Sequence, residues 1–146
     1  MNPLTFKEVL RAPLWLGAFI FFMLGSLVIA IWAAFDNRSA LISALIALVV
    51  GIVGISSLTR EISYDGRELR VGRAHIEREF IAEIEVLNRD EFVLARTRDV
   101  DPAAFFALTF WVSQGVKVTI NDDRDPTPYW LISTRRGEVL AKSLRS

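Results

Sequence analysis

Hydrophobicity along this chain has two regimes. Residues 14–58 are almost continuously apolar: Leu14–Phe35 reads LWLGAFIFFMLGSLVIAIWAAF and Ala40–Leu58 reads ALISALIALVVGIVGISSL, neither with a charge. At a rise of about 1.5 Å per residue these runs make helices of roughly 33 Å and 28 Å, close to the ~30 Å hydrocarbon thickness of a bilayer. Only Asp36-Asn37-Arg38-Ser39 separates them, so the pattern predicts a transmembrane helical hairpin. The first run exceeds the ~7–15 apolar residues of a signal peptide and a second span follows at once, so it reads as retained. Ahead of it, Leu4–Arg11 mixes apolar and charged residues and predicts a short interfacial helix leading into Pro13. Trp15 at one end of the first span, and Trp32 with Phe35 at the other, suit the two headgroup belts.

From Thr59 the period changes to two. Glu61–Tyr64 and Glu68–Val71 read as strands joined by a tight turn at Asp65-Gly66. Ala74–Ile76, Ile81–Leu87, Phe105–Val112, Val116–Ile120 and Tyr129–Ser133 are strand-like. Asp90–Arg98 is helix-friendly and ended by Asp101-Pro102. Residues 121–126 are a loop, and Gly137–Leu144 is a closing helix. The expected fold class is therefore a membrane α-helical hairpin plus an α+β part. In that part a small β-sandwich or partly open barrel is capped by a C-terminal helix, the architecture of pleckstrin-homology-like (PH-like) domains. The expected division is an interfacial segment over 1–13, a transmembrane hairpin over 14–58 and a cytoplasmic domain over 59–146.

Small residues recur every four positions on both spans: Ser26, Ala30 and Ala34 on the first, Ser43, Ala47 and Gly51 on the second. An antiparallel hairpin turning at Asp36–Ser39 sets Ala34 against Ser43, Ala30 against Ala47 and Ser26 against Gly51. Small stripes let helix backbones approach closely in lipid.

Charge sharpens the picture. Residues 1–58 carry three basic and two acidic side chains, and residues 59–146 carry fourteen and fifteen. The C-terminal part is not basic, which argues against nucleic acid as a partner. Lys7 and Arg11 precede the hairpin, Arg38 alone lies in its loop, and Arg60, Arg67, Arg70 and Arg73 follow it. The positive-inside rule then places both termini in the cytoplasm of a multi-pass plasma-membrane protein. Cysteine is absent, which excludes disulfides, thiolate metal sites and thiol nucleophiles.

Candidate chemistry is sparse. His75 is the single histidine, flanked by Ala74 and Ile76, and reads as an exposed strand residue. Asp122, Asp123 and Asp125 cluster in a loop without EF-hand spacing and with Arg124 among them. Glu77, Glu79, Glu83 and Glu85 alternate onto a solvated face. No phosphate-binding glycine loop or nucleophile motif occurs. The expectation is a non-enzymatic chain with no cofactor and no metal. Its partners would be the lipid bilayer and a protein in or at the membrane, or anionic lipid met by its arginines; the alternative is a module for a small ligand or lipid headgroup. Two features stand out as candidate binding residues: the aromatics Trp130, Phe106 and Trp111, and Arg135. Adjacent Phe105 and Phe106 cannot share one face of a strand, so one is expected in the core and the other against lipid or a partner.

Asp125-Pro126-Thr127-Pro128-Tyr129-Trp130-Leu131-Ile132-Ser133-Thr134-Arg135 resembles the signature of an actinobacterial family of small two-span membrane proteins of unknown function. Other matching pieces follow that family's order. They are Glu8, Leu10, Pro13 and Trp15, then Asp65–Gly72, Ile84-Glu85-Val86-Leu87, Asp101–Phe105 and Trp111-Val112. Arg136-Gly137 departs from it, standing where a proline near the helix start is expected. The resemblance implies an integral membrane protein with a PH-like tail and assigns no activity.

Overall fold

The computed structural model describes residues 6–146. Two compact units emerge, one formed by Arg11–Arg60 and one by the segment up to Leu10 together with Glu61–Ser146.

The first unit is a pair of long helices, α1 (Leu14–Ala34) and α2 (Asn37–Ser57). Both are long and apolar enough to cross a membrane. The connection is shorter than expected, because α2 starts at Asn37 rather than Ala40. Asp36 caps it, accepting a hydrogen bond from the Ser39 N–H at 2.9 Å. Trp32 Nε1 donates to Asn37 Oδ1 across the turn at 2.7 Å.

That early start changes the expected pairing. Gly51 is buried, and a Cβ there would lie 2.7 Å from the Phe21 ring and 3.2 Å from Leu24 Cδ1. Its partners therefore sit two to five positions before the expected Ser26. Ser43 and Ala47 are half-buried with Gly51, so the stripe on α2 lies at the interface. Ser26, Ala30 and Ala34 do not: all three are exposed, and Ser26 Oγ donates to its own helix at Phe22 O. On α1 the residues withdrawn from the surface are Leu16, Gly17, Ile20, Leu24, Val28 and Ile31. Phe21 and Leu24 of α1 thus meet Gly51 of α2, while Gly17 of α1 lies against Ile55 of α2.

In the second unit Phe6–Leu10 is a strand, β1, not an interfacial helix; Leu4 and Thr5 lie outside the described residues. Phe6, Glu8 and Leu10 are buried while Lys7 and Val9 are exposed, the period-two signature of a half-buried strand. β1 joins β2 (Arg60–Tyr64), β3 (Glu68–Val71) and β4 (Ala74–Glu77) in a sheet of order β1-β2-β3-β4. The β2–β3 turn uses Gly66 at φ 93°, and the two-residue β3–β4 turn uses Gly72 at φ 61°. Glycine enters this region without a Cβ penalty.

The second sheet contains β5 (Ile81–Leu87), β6 (Phe105–Ala107), β7 (Gly115–Ile120) and β8 (Tyr129–Ser133), in the order β5-β7-β8-β6. β5–β7 and β7–β8 are antiparallel, whereas β6 runs parallel to β8. β5 and β6 are the two edges of this sheet and are joined through α3 (Arg89–Thr97), which a capping box at Asn88 and Glu91 starts, while β6 and β8 are joined through β7. β6 is shorter than the predicted 105–112. Past Ala107 the chain leaves the ladder: the Thr109 N–H turns to Ser133 Oγ, and Val112 N–H closes a turn on Thr109 O.

Inner faces of both sheets share one core, with Ile62, Leu69, Val116, Val118 and Ile132 joined by Leu140 and Leu144 of α4 (Gly137–Arg145). The other face of the second sheet is covered by α3 through Phe92 against Leu87, Tyr129 and Leu131. With both faces covered, all five residues of β8 are buried.

Candidate functional site

The segment following β8 is where the two ends of the chain meet. Thr134 is fully buried and extends the strand through its N–H, which donates to Gln114 O at 3.1 Å. Its hydroxyl donates to a carboxylate oxygen of Glu8 on β1. The Arg135 N–H donates to the other Glu8 oxygen at 3.1 Å, and the Arg136 N–H donates to Thr134 Oγ1 at 3.1 Å. Glu8 is only 8% exposed, so these two donors replace the water that a buried carboxylate would otherwise lose. Arg136 adds a guanidinium 5.2 Å from the Phe6 ring centre and a long hydrogen bond to Lys7 O. The Lys7–Glu61 ion pair beside it, at 3.2 Å, is solvent-exposed and worth little. The arrangement satisfies every polar group it buries, and it ties β1 to the start of α4.

Next to it lies an open cleft of about 530 Å³, between the start of α3, the start of β7 and the start of α4. Two glycines let its walls close up. A Cβ on Gly115 would lie 2.0 Å from Ile132 O and 2.5 Å from the Phe92 ring, and one on Gly137 would press on Val116 and Val86 at 3.2 and 3.3 Å. Arg135 reaches this cleft with its side chain exposed. Among the described residues its guanidinium has no ion pair or hydrogen bond. Glu91 is occupied by the α3 cap, while Glu138 brings an opposing charge. Chemically the cleft offers one uncommitted cation beside polar backbone.

Of the predicted binding residues only Arg135 lines this cleft. Trp130 is a core residue, 6% exposed, its ring 4.9 Å from that of Phe105. Phe106 is half-buried on the opposite face of the same sheet, edge-on to Tyr129 at 6.5 Å. The Phe105–Phe106 pair thus divides between two cores rather than between core and surface, because α3 covers the second face. Trp111 is half-buried beside the exposed Phe110, and among the described residues its buried Nε1 has no hydrogen-bond partner. These four residues do not converge.

Other candidates stand apart from one another. His75 is exposed, with Nε2 3.8 Å from Glu68 Oε1. Glu77, Glu79, Glu83 and Glu85 are all exposed. Asp122 accepts from the Arg124 N–H and side chain, and Asp125 from the Thr127 N–H, so both carboxylates serve their own turns. Hydrogen bonds from the Thr127 hydroxyl and N–H hold Asp125 below the usual carboxylate range, and the Glu68 and Arg67 N–H groups do the same for Asp65. Among the described residues no three His, Asp or Glu side chains gather as metal ligands. The residue that sequence reasoning left without a role is Glu8. Its signal was a carboxylate at period two between Phe6 and Leu10.

Fold and site together define a two-helix chain whose sheet-rich part is closed by its own N-terminal strand. Residues 5–144 match the family model described as protein of unknown function (DUF3093), and the chain belongs to that family. No curated protein and no solved structure matches it.

Proposed function

We propose that this chain is an integral protein of the plasma membrane that works by binding rather than catalysis, as a membrane-anchored adaptor or accessory subunit. In this reading α1 and α2 cross the bilayer, both termini are cytoplasmic, and a PH-like domain is presented to a protein partner or to anionic lipid. The observation that carries it is the surface of the helices. Phe19, Phe22, Leu27, Ile29, Val49 and Val53 are all more than half exposed, an apolar surface that lipid covers and water does not. Orientation rests on the four arginines after α2 against Arg38 in the first turn of α2. Two four-stranded sheets closed by α4 support the PH-like reading, with α3 and the parallel β6–β8 pair as additions to it. The actinobacterial origin implied by the resemblance belongs to the same reading. A second reading, binding of a small anionic ligand or lipid headgroup, is favoured by the cleft holding the uncommitted Arg135.

The test combines location and binding. After alkaline carbonate washing the protein should stay in the membrane pellet. A cysteine at Asn37 should react with an impermeant thiol reagent from outside, and one at Lys142 should not. In mild detergent, a co-purifying protein should be lost with Arg135→Glu and kept with His75→Ala. Release by carbonate, reversed labelling, or loss of complementation by His75→Ala alone would refute the reading.

A further inference from the structure

β1 precedes the helical hairpin in sequence and β2 follows it, yet both belong to one sheet. The sheet-rich unit is therefore discontinuous, interrupted by Arg11–Arg60. Only Arg11-Ala12-Pro13 joins β1 to α1, and only Leu58-Thr59 joins α2 to β2. Three extended residues reach about 10 Å, far short of the ~30 Å hydrocarbon layer. A β1 left on one side of a bilayer has no route to a sheet on the other.

We propose that β1 is a topology latch: the C-terminal domain does not complete its fold in chains whose hairpin has crossed the membrane only once. This rests on the membrane reading above. Without β1 the core loses Phe6 and Leu10, which are 3% and 2% exposed. β2 becomes a bare edge, open to pairing with other chains. Thr134 and the Arg135 N–H lose the carboxylate they donate to, at a place where water has little access. Arg136 loses both the Phe6 ring and Lys7 O. The last two losses fall on the segment between β8 and α4, so a half-inserted chain carries its defect into the part that closes the domain. Such chains are marked for proteolysis, and correctly inserted ones are sealed.

The experiment is limited proteolysis in membrane vesicles that expose the C-terminal domain. Four chains are compared, with full-length Glu61→Ala as a control. They are the full chain, a single-span variant lacking residues 14–36, that variant with a second copy of residues 1–10 on a flexible linker before Arg60, and full-length Glu8→Ala. The natural chain has no cysteine, so Lys7→Cys reports which side the N-terminus occupies. The full chain should yield a resistant C-terminal fragment. The single-span variant, its Lys7→Cys on the far side, should be cut at least about tenfold faster, since cleavage follows the open population. The second copy should restore resistance, and Glu8→Ala should weaken it while Glu61→Ala, changing the exposed partner of Lys7, should not. Full resistance of the single-span variant, or no rescue by the added strand, overturns the latch. Failure of the membrane reading looks different: the full chain itself would leave the vesicles in alkaline carbonate.

Discussion

Replacing Glu8 by alanine is the sharpest single perturbation this structure offers. The change removes the acceptor of two hydrogen bonds, from the Thr134 hydroxyl and the Arg135 N–H. Thr134 is completely buried, so its hydroxyl has no water to turn to. A buried donor left unpaired costs about 1–3 kcal/mol, and hydrogen bonds to a charged acceptor contribute about 1.5–3 kcal/mol. The Arg135 backbone lies nearer solvent and recovers part of its loss. The expected destabilisation is therefore about 2–4 kcal/mol, a large share of the ~5–15 kcal/mol that holds a domain folded. Thr134→Val isolates the pair: it leaves Glu8 with the Arg135 N–H alone and deprives the Arg136 N–H of its acceptor. Residues sharing one network couple by about 0.5–3 kcal/mol, so Glu8→Ala with Thr134→Val should cost less than the two singles together. Denaturant unfolding of the full chain in a mild detergent, followed by tryptophan fluorescence, measures all four corners of the cycle. Additive costs, or a Glu8→Ala change within ~0.5 kcal/mol of wild type, would refute the argument that this carboxylate is held by the C-terminal segment.

Gly51→Leu should destabilise the hairpin by about 1–3 kcal/mol by overpacking against Phe21 and Leu24. Ala34→Leu, on an exposed face, should be near neutral; thermal melts in detergent by circular dichroism decide, and equal effects would refute the observed pairing. Gly115→Ala drives a Cβ onto Ile132 O of the paired strand, where backbone must move, so a loss of about 3 kcal/mol or more is expected, read as a markedly lower Tm for the C-terminal transition. Asp65 makes acid stability directional. Its folded-state pKa is lowered by the Glu68 and Arg67 N–H groups, so its contribution is complete above the unfolded value of about 3.9 and fades as pH falls through the lower folded value. Stability of the natural chain should thus drop more steeply below that value than stability of Asp65→Ala, measured by denaturant midpoint against pH.

The parts of this fold legible in the sequence are those set by local pattern. Both helices, the strands Glu68–Val71, Ile81–Leu87 and Tyr129–Ser133, and the glycine turn after Asp65 follow from periodicity and from backbone regions that few residues enter. Where the structure differs from that pattern, distant partners decide. The β6 strand stops at Ala107 because Ser133, far along the chain, takes the Thr109 N–H. Phe106 is covered by α3, an element whose position no local signal reports. The helix stripe on α1 was misassigned because the pairing depends on where the connection ends, and Asp36 ends it one turn early by capping Ser39.

The same distinction explains the candidate site. Trp130, Phe106 and Trp111 stood out by residue type, but an aromatic in a short strand is first of all core material, and the two sheet faces separate Trp130 from Phe106. Glu8 attracted no functional reading because its partners lie more than a hundred residues away and across the hairpin in sequence. Its alternation with Phe6 and Leu10 is nonetheless a signal present in the sequence: as a strand rather than the expected helix, this segment sets a carboxylate on its apolar face. A charge in that position requires donors, and the Thr-Arg pair ending the C-terminal signature supplies them. The matched pieces at the two ends of the chain are therefore one structural element. Their separation in sequence is the length of a hairpin, which is why disrupting either end should be felt at the other.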